Sequence, residues 1–343
     1  MYAHFIKFFF SRLEKRKMKR IVSIFLAAMM CMSFFALVSC DMPTEDDGKY
    51  TVGVCQLVQH PALDAATQGF IDTLKAEFGD NVEILNENAS NDTNACTTIV
   101  TNFVSKKVDL IMANATPALQ AAAQQENIPV LGTSITEYGV ALGIDDFDGL
   151  VGGNVSGTSD LAPLEDQAQM IIDIFPEAEK VALLYCSSEP NSAYQVKEIR
   201  RLLVEKGLSD ANIKDYSFTD SNDVNTVAAA AAAFADVIYI PTDNTAASCA
   251  ETINGVIGDV PVIAGEEGIC TGCGVATLSI SYYDLGVATG KMAIKILKGE
   301  AKVEDMRIEY AANFTKKYNA DKCAELGIDV EALKAAGYVA IGE

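Results

Sequence analysis

The chain has no tryptophan and only two histidines, His4 and His60, among its 343 residues. Cations are also scarce: 26 Lys and Arg stand against 47 Asp and Glu, a formal net charge of −21. These shortages narrow the chemistry. No HExxH, no GxSxG and no Gly-rich phosphate loop occurs; "GLVGGNVSG" (149–157) has glycines without the strand–turn–helix context they need. A Ser-His-Asp mechanism has only His60 to recruit beyond the N-terminal segment, and its partners cannot be placed. Glu266 and Glu267 are adjacent, so in a strand they would face opposite ways, which suits paired acid–base work poorly. They are expected at a domain crossing near Gly265 and Gly268. The acidity repels nucleic acid and anionic headgroups. No catalytic residue, metal site or cofactor is expected.

The N-terminus is where the cations gather. Arg12, Lys15, Arg16, Lys17, Lys19 and Arg20 precede the apolar run "IVSIFLAAMMCMSFFALVS", which ends in "LVSC" at Cys40. A basic region, an apolar core and small residues form a secretory signal, expected over 1–39. The "L-V-S-C" sequence resembles a bacterial lipobox on Leu37 and Cys40, which makes Cys40 the lipidated first residue of the mature chain. The alternative is a single membrane anchor, for which the run is about long enough. Met18 is an alternative start. Residues 40–49 read as an acidic tether with no reason to fold. Without 1–39, 19 basic residues face 46 acidic ones, a net charge of −27.

Seven cysteines lie beyond Cys40: Cys55, Cys96, Cys186, Cys249, Cys270, Cys273 and Cys323. An odd number leaves at least one thiol outside intramolecular pairing. Cys270-Thr-Gly-Cys273 has the spacing of a redox pair or half a metal site. A local disulfide and inert thiols are the other readings.

From Tyr50 onward, short β-branched runs alternate with helical ones. "YTVGVCQL", "VEILNENA", "VDLIMAN" and "IPVLG" are strands, with helices over 63–78, about 94–106 and 117–125 between them. "KVALLYC", "NIKDYSF", "DVIYIPT" and "VPVIAG" are strands in the second half, with helices over 193–206, 223–234 and 245–257. The alternation predicts βαβ units on mostly parallel sheets. "VDLIMANATPAL…NIPVLG" and "ADVIYIPTDNTA…DVPVIAG" match in order, as two similar lobes require.

Ligands of open α/β sheets sit beyond the carboxyl ends of the strands. "CQLVQH", "ANATP" and "TSITEY" lie there in the first half, "YCSSEPNS" and "IPTDNT" in the second. Facing lobes would enclose these segments, with helix N-termini offering free N–H groups to an anion. Thr116-Pro117 reads as an N-cap with Pro at the first helical position, and Ser159, Asp160 and Pro163 as another helix start. Each residue taken alone is equally well explained as a cap.

The same segments carry a resemblance. "GVCQLVQHPALDAATQGF", "NVSGTSDLAP", "CSSEPNSAYQ", "YIPTDNTAAS", "VIAGEEG" and "SISYYDLGVATGKMA" resemble substrate-binding lipoproteins of ABC transporters, in their tryptophan/tyrosine-type subgroup. The resemblance runs from about Tyr50 to Val330. It implies the α/β type I periplasmic-binding-protein fold, with two Rossmann-like (flavodoxin-like) lobes and a multi-crossing hinge. The lobes would be 50–160 plus about 282–308, and 161–281 plus about 309–343. It also implies a monomer that closes on a small ligand, an aromatic amino acid, and delivers it to an ABC permease driven by a separate ATPase. In such a complex Ser188, Asn191, Ser192, Thr116 and Thr136 are the candidates for the ligand carboxylate. Asp160 and Asp243 are candidates for its ammonium, Gln59 and Asn244 for orienting these groups, and Tyr138 for flanking the aromatic side chain. The chain departs from the family's pattern at Glu137-Tyr138, where an Asp-Pro pair is common, and at Cys270 and Cys273. A sensor lipoprotein for an amino acid or nucleoside, and an enzyme on the same fold, are the other classes. The secretory signal and the negative charge argue against a DNA-binding regulator of this fold.

Overall fold

The computed structural model describes residues 48–342, so the expected signal, Cys40 and nearly all of the tether lie outside the described residues. The first half comprises Tyr50–Gln56 (β1), Pro61–Phe78 (α1), Val82–Asn88 (β2), Thr93–Lys106 (α2), Leu110–Asn114 (β3), Thr116–Ala122 (α3), Val130–Ile135 (β4), Tyr138–Leu142 (α4) and Val155–Ser159 (β5). The second comprises Leu164–Ile174 (α5), Val181–Cys186 (β6), Pro190–Glu205 (α6), Ile213–Phe218 (β7), Val224–Phe234 (α7), Val237–Ile240 (β8), Asn244–Ser248 (α8), Ala250–Ile257 (α9), Val262–Ala264 (β9), Glu267–Cys273 (α10) and Ala276–Ser279 (β10). Tyr282–Leu297 (α11), Glu309–Tyr310 (β11), Thr315–Tyr318 (β12), Ala320–Leu326 (α12), Val330–Ala335 (α13) and Val339–Ala340 (β13) complete the chain.

Two sheets form. One has the order β11-β5-β4-β3-β1-β2, the other β13-β12-β10-β9-β8-β6-β7. All pairs are parallel except β10 with β12. The runs β5-β4-β3-β1-β2 and β10-β9-β8-β6-β7 have the same topology. The duplicated sequence segments occupy equivalent places in it, β3 to β4 and β8 to β9. Every residue of β3, β4, β5, β8, β9 and β10 is buried. That is the mark of parallel strands covered on both faces by helices, and it explains the near-continuous apolar runs of β3, β8 and β9.

Three segments cross between the lobes: 160–163 after β5, 280–281 before α11, and 311–314 between β11 and β12. Helix α11 returns to the first lobe and packs along α1. Two glycines permit that approach. A Cβ on Gly286 would overlap the Ala66 carbonyl oxygen, and one on Gly69 would overlap that of Tyr283. Both helices begin at the cleft, so their close packing fixes His60, the N-cap of α1, relative to Tyr282, the first residue of α11.

The structure modifies several sequence expectations. The helix expected over 245–257 breaks at Cys249 into α8 and α9. Residues 155–159 form a central strand despite Gly157. Thr116 is the first residue of α3 rather than its cap, which is Ala115 at φ 87°. Glu266 sits at no crossing; it caps α10 after β9, accepting from the N–H groups of Gly268 and Ile269.

Candidate functional site

The carboxyl ends of both sheets meet at a small cavity of about 10 Å³. The first lobe contributes His60 before α1, Ser134 and Thr136 at the end of β4, and Asp160 after β5. The second contributes Asn191 at the start of α6, Thr242, Asp243 and Asn244 after β8, and Glu266 after β9; Tyr282 of α11 completes the wall. Ala247, Glu266 and Tyr282 are shared with a larger cleft of about 740 Å³. Pro61, Ala62, Ala65 and Ile280 give that cleft an apolar side.

Bonds across the lobes hold the site. His60 Nε2 lies 3.3 Å from Asn244 Oδ1, and Asn91 Nδ2 donates to Thr245 Oγ1 at 3.1 Å. Glu189, itself buried, organises the second lobe's side. Its carboxylate accepts from the backbone N–H and Nδ2 of Asn244 and from the N–H and hydroxyl of Thr245, at 2.7–3.0 Å. Asp243 accepts from the N–H groups of Cys186 and Ala246. Tyr282 donates its phenol to Asp160 Oδ2 at 3.0 Å.

This is a carboxylate-rich interior, and burial dominates its electrostatics. Burial raises Asp160 to about 6, against the hydrogen bonds of Tyr282 and Thr136. It raises Asp243 to about 8, assisted by the charge of Glu189. Glu266 also rises through burial, partly offset by His60. Four buried polar atoms on the cavity residues have no partner: His60 Nδ1, Ser134 Oγ, Asp160 Oδ1 and Asn191 Oδ1. Stranding a buried polar atom costs about 1–3 kcal/mol, so four around one cavity mark a place built for a guest.

Of the ten residues singled out from the sequence, the structure brings Thr136, Asp160, Asn191, Asp243 and Asn244 to this cavity. Ser192 is buried beside Asp243 and hydrogen-bonds to it. The other four lie elsewhere. Gln59 is exposed, and Thr116 is buried in the first turn of α3 away from both openings. Ser188 faces outward and donates to the Thr219 carbonyl at the sheet edge. Tyr138 is in the core, its hydroxyl donating to the Thr158 carbonyl. Its place was foreshadowed by Gly132 and Gly157, which pair across β4 and β5; a Cβ on either would overlap the Tyr138 hydroxyl. His60, Ser134, Thr242, Glu266 and Tyr282 also line this cavity and were not singled out from the sequence as ligand-binding.

The seven cysteines among the described residues are all unpaired thiols. Cys270 and Cys273 are buried in α10, and no group of metal-ligating side chains occurs among the described residues. Among those residues, no helix is long and apolar enough to cross a membrane.

Two parallel-sheet lobes joined by three crossings, with a polar cavity between strand ends, define a solute-binding protein of the type I periplasmic-binding-protein fold. The chain belongs to the ABC transporter substrate binding protein family, whose pattern matches residues 51–338. It is 33% identical over 309 residues to the tyrosine-binding protein of Clostridioides difficile, covering 83% of this chain and 86% of that one. A domain from Streptococcus pneumonia solved in complex with L-Trp is 32% identical, with a TM-score of 0.79, covering 85% of this chain and all of that one. A ligand-free, open substrate-binding protein with adhesive properties from Clostridium difficile is 35% identical, with a TM-score of 0.64, covering 85% of this chain and 99% of that one. The fit is better to the tryptophan complex than to the open protein, although the identity is lower.

Proposed function

We propose that this protein captures an aromatic amino acid outside the cytoplasm and presents it to the permease of an ABC importer driven by a separate ATPase. The observation that carries the reading is the ring of four unpartnered, buried polar atoms contributed by both lobes. The polar head of the ligand lies in the adjoining 740 Å³ cleft where it meets the cavity these residues line, and its side chain packs against Pro61, Ala62, Ala65 and Tyr282. Relatives named for tyrosine and solved with L-Trp support the aromatic choice. The action is binding and release; no bond is made or broken.

The lobes expected at 50–160 plus about 282–308 and at 161–281 plus about 309–343 shift by two residues in this reading, because Glu309 and Tyr310 of β11 pair with β5 of the first sheet. The monomeric body is tethered to the outer face of the membrane by a lipid on Cys40, after removal of 1–39. A thermal-shift screen of amino acids and nucleosides on the purified chain tests the ligand class, because a ligand stabilises only the state that binds it. L-tyrosine or L-tryptophan should raise the melting temperature. A rise with nucleosides alone would overturn the reading.

A further inference from the structure

Away from the cleft, the charges of the first lobe are sorted along its length. Asp64, Glu87, Asp92, Glu137 and Asp284 stand at the strand ends and helix starts of the cleft side, and no Lys or Arg of the lobe stands with them. The cations lie at or toward the opposite pole, where the parallel strands begin and the helices end. Lys75 is in the last turn of α1, Lys106 and Lys107 end α2, and Lys291 and Lys295 are on the second half of α11. All five are exposed, and among the described residues none of them is in an ion pair. The other cations here are paired: Lys298 with Glu77, Lys302 with Glu304 and Arg307 with Asp148. Asp80, Glu83, Glu126 and Glu300 share this end. The pole is therefore mixed in sign, whereas the cleft side of the lobe is acidic alone. A helix macrodipole favours lysine at a helix end, yet the second lobe does not follow that rule. Its helices α5, α7 and α9 have no basic residue in the last turn, and Lys206 at the end of α6 is paired with Glu165.

We propose that this pole is an interaction surface for anionic lipid headgroups, and that it orients the tethered protein with its first lobe against the membrane and its cleft end away. The inference rests on the lipid-anchor part of the reading above and adds an orientation to it. The chain enters the lobe at this pole: Tyr50 starts β1 beside Val82, the first residue of β2. From Cys40 to Tyr50 an extended chain reaches at most about 35 Å, so the surface where it enters is the one held near the bilayer. Charges in salt act over only about 10 Å. An anionic bilayer therefore meets the nearest surface and not the net charge of the whole chain. Unpaired lysines within that range are attracted, and the acidic cleft side is repelled. Both effects turn the molecule the same way.

The test uses the lipidated mature chain on two kinds of vesicle, one of phosphatidylglycerol and phosphatidylcholine in equal parts, the other of phosphatidylcholine alone. Flotation reads attachment. Limited acetylation followed by mass spectrometry reads the exposure of each lysine. At low salt, Lys75, Lys106, Lys107, Lys291 and Lys295 should label at least about threefold more slowly on the anionic vesicles than on the zwitterionic ones. Lys197, exposed and in no ion pair on the second lobe, should label equally on both. Salt near 1 M, where the screening length falls to about 3 Å, should remove the protection. The triple variant Lys106→Glu, Lys107→Glu, Lys295→Glu should float as the wild type does, yet lose the protection of Lys75 and Lys291. Equal labelling of the five on both vesicles, in a protein that floats with them, overturns the pole and leaves the anchor intact. Protection of Lys197 to the same extent overturns the orientation. Flotation with the anionic vesicles alone overturns the anchor and supports the pole, and flotation with neither overturns both.

Discussion

His60 and Asn244, 184 positions apart in sequence, face each other across the two lobes with Nε2 and Oδ1 3.3 Å apart. The bond is oriented from behind, since Glu189 holds the amide of Asn244 and the N-terminus of α8. A lobe-to-lobe contact at the wall of the ligand cavity thereby depends on a carboxylate that does not line it.

Glu189→Ala should therefore damage both stability and closure. It strands the N–H groups of Asn244 and Thr245 in a buried setting, for a loss of roughly 3 kcal/mol. Urea denaturation followed by circular dichroism measures the first effect. Ligand titration of the folded variant should show weaker binding as the second. Unaltered stability would contradict the role assigned to Glu189.

The buried acids predict an unusual pH dependence. Asp160 at about 6 and Asp243 at about 8 both lie above the ordinary 3.8. The folded protein then holds protons that the unfolded chain has released. Their contribution is fully present below about pH 4 and is lost as the pH rises through the folded values toward about 8. Asp160 is faced by Tyr282 of α11, Thr136 after β4 and Glu266 at the cap of α10. Asp160→Asn should stabilise the ligand-free protein near neutral pH by up to about 3 kcal/mol and flatten the slope between about pH 4 and 6. Melting curves across that range check it. A steeper slope in the variant would contradict the assignment.

Ligand affinity should run the opposite way. An ammonium requires the ionised Asp160, so affinity should fall about tenfold per unit as pH drops below about 6. Isothermal titrations at a series of pH values read this directly, and a pH-independent affinity over that range would count against it.

The packing of α1 on α11 yields a prediction about the fold. Gly286→Ala drives a methyl into the Ala66 carbonyl. Separating the helices disturbs both His60 and Tyr282. The expected loss is on the order of 2 kcal/mol or more, with weaker ligand binding in the folded fraction. A neutral result in thermal denaturation would show that the helices have slack.

The sequence made much of this architecture legible, for identifiable reasons. Buried parallel strands leave continuous apolar runs, so β3, β4, β6 and β8 were readable, and the duplicated segments exposed the twofold plan. Strand-end position pointed to Asp160, Asp243 and Asn244, which the structure brings to the cavity. It did not tell which way a side chain turns. Tyr138 and Ser188 follow strands as expected, yet one turns into the space vacated by Gly132 and Gly157 and the other toward the sheet edge. His60 was considered only as a triad member, since its significance lies in a partner from the other lobe. Tyr282 was hidden because its helix follows a crossing and returns to the first lobe. The signal available for it was the pair of glycines, Gly69 and Gly286, that let α1 and α11 approach.

The central claim is that the ammonium of an amino-acid ligand is held by Asp160 between the lobes. The most direct measurement is calorimetric titration of wild-type protein and Asp160→Asn with L-tyrosine and L-tryptophan near neutral pH. The account predicts one site per chain in the wild type and an affinity at least about a hundredfold lower in a variant that remains folded. Equal affinity in the two proteins would contradict it.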